Sequence, residues 1–133
     1  MLNLDIYSDD NSVRNYEMDK LIKDIMIQNI KLNNYLTLCI ELIELLKTIK
    51  IIDDVEFFKN CLVAISLLCE LPLVGNHIIN HELIFFEEIK TKVNSLYNHG
   101  GWDYELLTYK EELENINHVI KTIDQSLRKC LGK

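Results

Sequence analysis

The stretch Cys61-Leu-Val-Ala-Ile-Ser-Leu-Leu-Cys69 decides how this chain is read. It carries no charge, and its only polar side chain is Ser66. Lys59 and Asn60 bound it on one side, Glu70 and Pro72 on the other. A helix that is apolar on every face is either buried all round or sits in lipid. A bilayer span takes about 20 such residues, and this run is too short. The stretch therefore predicts a buried central helix, with the flanking segments wrapped around it as amphipathic helices.

The totals agree with an all-α bundle. One proline and four glycines in 133 residues leave few turn or strand signals. That length buries a core in one domain, residues 1–133, without staples. The net charge of −7 argues against a general nucleic-acid binder, which needs a basic stripe, and is compatible with a basic peptide partner. No transmembrane segment is expected. The acidic opening, Met1 to Asp10, lacks the basic-then-apolar order of a signal peptide. Cys39, Cys61, Cys69 and Cys130 show no Cys-x-x-Cys spacing. Cys61 and Cys69 on one helix would stand ~12 Å apart, too far to bridge. They read as buried free thiols in a reducing compartment.

Outward from the centre, residues 1–16 read as a polar, flexible end. A first helix is expected from Met18 to Asn34, with Met18, Leu21, Ile22, Ile25 and Met26 inward. A second runs from Leu36 to Ile49, with Leu38, Leu42, Leu45, Leu46 and Ile49 on one face. Asp53 is placed to cap the central helix, with Glu56 completing a capping-box pattern. That helix should stop at Pro72. Val74-Gly75-Asn76 reads as a connector, followed by a helix from His77 to Tyr97 with Leu83, Phe86, Ile89 (or the stem of Lys90), Val93, Leu96 and Tyr97 inward. After Gly100-Gly101, the residues Leu106, Tyr109, Leu113, Ile116, Ile120, Ile123, Leu127 and Cys130 alternate spacings of three and four, a heptad seam. The seam either packs back on the bundle or pairs with a second copy as a homodimer.

Catalytic and metal chemistry find little footing. His77 and His81 share one helix face, but neither Glu82 nor His99 makes a convincing third ligand, and a solvated helix start is the simpler reading. Cysteine–histidine catalysis needs a positioned base and an oxyanion site, which the residue order does not suggest. The chain is expected to be no enzyme and to need no cofactor and no metal.

At Gly100-Gly101-Trp102-Asp103 the chain resembles the Bcl-2 family of apoptosis regulators, whose second homology motif has these residues at a helix junction. Tyr109 stands seven residues after Trp102, as that motif expects. Leu21-Ile22-Lys23-Asp24-Ile25-Met26 resembles the N-terminal homology motif. Glu56-Phe57-Phe58-Lys59 with Leu62-Val63-Ala64 resembles the flanks of the first. The departure is at Asn60-Cys61, where the family's Trp, Gly and Arg are missing. The richness in Ile, Asn and Lys suits a large AT-rich DNA virus.

The resemblance implies a Bcl-2-like bundle that inhibits apoptosis. It would hold the amphipathic death helix (the third homology region) of pro-apoptotic Bcl-2 family partners in an apolar groove. Groove walls would be Leu42, Leu46, Phe57, Phe58, Asn60, Val63, Ala64 and Leu67, with Tyr109 closing one end. Gly100, Gly101, Trp102 and Asp103 would be structural. The implied address is the host cytoplasm, with mitochondria as a peripheral surface. Two other readings stay open: a Bcl-2-fold inhibitor of innate immune signalling that makes no use of a groove, and a helical oligomerisation module using the seam.

Overall fold

The computed structural model describes residues 2–28, 30, 34–99 and 107–132, and within them every long element is an α-helix. In order these are α1 (Asn11–Met26), α2 (Tyr35–Thr48), α3 (Val55–Leu68), α4 (Pro72–His81), α5 (Leu83–His99) and α6 (Leu107–Cys130). Short 3-10 turns at Leu4–Tyr7 and Ile51–Asp53 precede α1 and α3.

The uncharged stretch forms most of α3, and α3 is the axis of the bundle. Val55, Phe57, Phe58, Cys61, Leu62, Ala64, Ile65 and Leu68 are buried on it, and its broadest contacts are with α6 and α1. Each large apolar side chain removed from water contributes about 1.5–3 kcal/mol, so this one helix supplies a large part of the drive to fold. Burial is not complete all round. Glu56 is exposed, and Asn60, Val63 and Leu67 are half-buried along the same strip, at helical spacings of four, three and four.

α1 and α6 run alongside α3 in its own direction. Arg14 meets Asp54 at the start of α3, and Ile25 meets Leu68 near its end. Lys59 pairs with Glu112 near the start of α6, and Cys130 reaches Gly75 beyond the end of α3. α2 runs the opposite way, with Tyr35 near Leu67 and Leu46 near Phe58.

Several boundaries differ from expectation, each for a local reason. Residues 2–16 are not a loose end: Ile6 is buried, the Leu2 N–H donates to Glu41 on α2, and α1 already starts at Asn11. The Asp10 carboxylate accepts from the N–H groups of Ser12 and Val13 and caps that helix. α1 ends before Asn34 because Gln28 takes the left-handed conformation, φ 56°, that terminates helices. Met26, expected inward, is therefore on the last turn and exposed.

The cap of α3 is Asp54, not Asp53: Asp54 Oδ1 accepts from Phe57 N at 3.0 Å, which puts Glu56 out of the capping-box position. Pro72 opens α4 instead of closing α3, since a proline at the first helical position loses no hydrogen bond. Val74-Gly75-Asn76 is accordingly helical, and Val74 and Gly75 are buried. The two helices diverge by 119°. The expected helix His77–Tyr97 is broken at Glu82, which leaves Leu83 exposed at the start of α5 while Phe86, Ile89 and Val93 face inward.

The described part of the heptad seam, Leu113, Ile116, Ile120, Ile123 and Leu127, is buried within this chain against α3, α4 and α5. Leu106 lies outside the described residues. Among the described residues no single helix is long and apolar enough to cross a membrane.

Candidate functional site

The eight groove residues that the structure describes separate into two groups. Leu42, Leu46, Phe57, Phe58 and Ala64 point into the core and are shut off from solvent. Each is packed in the core of the described residues. Asn60, Val63 and Leu67 are the half-open strip of α3. Tyr109 belongs to α6, but its side chain is outside the described residues, as are Gly100, Gly101, Trp102 and Asp103.

The filling has identifiable causes. On the α1 side, the Arg14 guanidinium lies 4.8 Å from the centre of the Phe57 ring, a cation–π contact, and its Nη2 is 3.0 Å from Asp54 Oδ2. Asn15 Nδ2 donates to the same oxygen at 3.3 Å. Phe58 also lines a small hollow with Leu46, Ile51 and the α5 residues Phe85 and Ile89, of about 60 Å³. That holds roughly two waters, not the apolar anchors of a helix.

A larger hollow lies elsewhere, a cleft of about 410 Å³ between the end of α1 and the last turn of α3. Ile25, Met26, Tyr35, Leu67, Leu68 and Leu71 give it apolar walls, with Gln28 and Glu70 at the polar edge. Leu67 joins it to the strip of Asn60 and Val63. Among the described residues, Leu67 is the one shared by this cleft and the groove expected from the sequence. The cleft was missed because it depends on where α1 ends, and the left-handed residue that ends it is a glutamine with no turn signature.

Elsewhere on the surface, Leu83 and Ile84 project from the start of α5, Ile84 with 78% of its surface exposed, beside Glu87 and Glu88. Lys90 on the next turn bonds Glu87 at 2.9 Å and Asp124 of α6 at 2.8 Å. Burial pulls the Lys90 ammonium down, but its bonds to Asp124 and Glu87 outweigh that and raise its pKa. The bond to Glu82 likewise raises Lys47. Both are fixed cations that tie helices together.

The buried thiols are chemically quiet. Burial, helped by the Glu82 carboxylate, pushes Cys39 up to about 12, and burial pushes Cys61 and Cys69 higher still. None is a thiolate at neutral pH, the form that attacks or binds metal. His77 and His81 stack with ring centres 4.9 Å apart. Among the described residues no three histidine, cysteine or acidic side chains converge to hold a metal ion.

No protein-family model, no curated protein and no solved structure matches this chain.

Proposed function

We propose that this chain is a Bcl-2-like protein of viral type that acts by binding host proteins, performs no chemistry of its own, and inhibits innate immune signalling without a death-helix groove. The observation that carries this is the burial of Leu42, Leu46, Phe57, Phe58 and Ala64. A helical ligand gains its affinity by burying its own apolar face against such residues, and here they are already covered. The missing Gly and Arg at Asn60-Cys61 remove the close approach and the charged contact that a death helix would use. The outward pair Leu83 and Ile84 offers an apolar surface for a partner instead. The proposed place of action is the host cytoplasm.

A second reading, inhibition of apoptosis by capture of the death helix, is favoured by one observation. Asn60, Val63 and Leu67 form a continuous half-open strip that runs into the 410 Å³ cleft. In that reading the peptide lies along α3 between α1 and α6, and mitochondria are the peripheral site of action.

Expression in host cells distinguishes the two. The first expects suppressed inflammatory signalling that is lost with Ile84→Arg and kept with Val63→Glu, with cell death unchanged. Protection from cell death that is lost with Val63→Glu alone would overturn the first reading and support the second.

A further inference from the structure

The run His77-Ile-Ile-Asn-His81 puts two imidazoles on one face of α4, about one turn apart. This is the spacing at which a helix presents a histidine pair to zinc. In the sequence the pair reads as a solvated helix start. In the structure α4 begins at Pro72, so His77 lies in the body of the helix and His81 is its last residue. The turn that carries His81 is closed beyond it, where the Glu82 N–H donates to the Ile78 carbonyl at 2.8 Å. Both imidazoles therefore project from hydrogen-bonded backbone.

The rings are spaced for a shared ion. Their centres are 4.9 Å apart and their planes are tilted by 41°. Two imidazole nitrogens at about 2.0–2.1 Å from one Zn²⁺, with a near-tetrahedral angle between them, leave the ring centres roughly 5 Å apart. Turning a ring about its Cβ–Cγ bond is a soft motion that changes which nitrogen faces inward and hardly moves the centre. His81 is exposed and His77 half-buried, so an ion reaches them without unfolding. Their mutual contact engages neither ring in a hydrogen bond or ion pair among the described residues, so metal binding breaks no bond within the protein. The neighbouring carboxylate, Glu82, is held by Lys47 of α2 at 3.1 Å and adds no third ligand. Two protein ligands leave the remaining positions to water. Such an ion is exchangeable and is no part of the fold, whose core is apolar.

We propose that His77 and His81 chelate one divalent transition-metal ion, of the zinc, copper and nickel class, on the surface of α4. Imidazole suits these ions, whereas Mg²⁺ and Ca²⁺ take oxygen ligands and should not compete.

The test titrates the 133-residue chain with Zn²⁺ at neutral pH and follows the histidine ring signals by NMR, with Mg²⁺ as the control. The expected result is that the His77 and His81 signals move together and saturate at one ion per chain. His118, exposed on α6, should not respond, and Mg²⁺ should move none of the three. His77→Ala and His81→Ala should each weaken Zn²⁺ binding at least ~10-fold, since losing a direct ligand costs no less than losing an outer-shell partner. Alanine is the best helix former, and circular dichroism checks that α4 survives each change. Zn²⁺ held at Cys130 or at carboxylates with both rings unmoved would overturn the proposal. So would a response of one ring alone, or an unchanged affinity in either folded variant. The mapping is done on the unsubstituted protein, so a variant that fails to fold does not remove the test.

Discussion

Arg14 Nη2 stands 3.0 Å from Asp54 Oδ2, and this pair joins α1 to the start of the central helix. The other oxygen of Asp54 caps α3 through Phe57 N. Both partners are largely buried, with 18% and 7% of their side chains exposed. Asp54→Ala removes the cap and strands the Arg14 charge, so a loss of about 2–4 kcal/mol is expected. Urea unfolding measures it. A change under about 0.5 kcal/mol, the size of an ordinary surface substitution, would show that the pair contributes little.

Gly75→Ala should change sign with its neighbour. In the native background the new Cβ meets the Cys130 sulfur, and a loss of about 1–3 kcal/mol is expected. With Cys130→Ala the sulfur is gone and the nearest remaining side-chain atom, the Cβ, is 3.4 Å away. The helix preference for alanine then dominates and should give up to about 1 kcal/mol of added stability. A double-mutant cycle by thermal unfolding checks this, and equal effects in both backgrounds would count against the contact.

Alkaline pH should unfold the protein through its thiols. The folded-state pKa values of Cys39, Cys61 and Cys69 are raised above their ordinary 9.0, so the folded form holds these protons more tightly than the unfolded one. Their contribution is whole below pH 9 and is lost as pH rises from 9 towards the folded values. Each thiol then removes about 1.4 kcal/mol per pH unit. Stability measured from pH 8 to 11 should fall steeply, and less steeply with Cys61→Ala. An unchanged slope in that variant would mean that Cys61 ionises as freely folded as unfolded.

Ile123→Asp should unfold the chain instead of separating two copies. Ile123 is buried inside this chain, and an unpaired carboxylate there costs at least several kcal/mol. Circular dichroism should show lost helicity. A halved mass with helicity intact would make the seam an interface between copies.

How much of this was legible in the sequence depends on how local the signal was. The uncharged run at Cys61–Cys69 named the central helix correctly, because a helix without a polar face has only the interior to occupy. The three-and-four spacing from Leu113 to Leu127 likewise marked residues that prove to be buried. Pro72 was misread because the same ring that ends one helix can begin another, and only packing decides. Gly75 was read as a turn, yet its missing Cβ makes room for Cys130, 55 positions later. The site was less legible than the fold. Apolar spacing put Leu42 and Leu46 on one face and the resemblance alone named Phe57 and Phe58, but whether these four meet a ligand or another helix of the same chain depends on how the helices pack.

Titration calorimetry with a panel of amphipathic death-helix peptides tests the filled interior around α3 most directly. With Leu42, Leu46, Phe57 and Phe58 already covered, the expected result is no binding heat at tens of micromolar peptide, on the order of −6 kcal/mol or weaker. Nanomolar binding to any of the panel, abolished by Val63→Glu in a protein that stays helical, would contradict it.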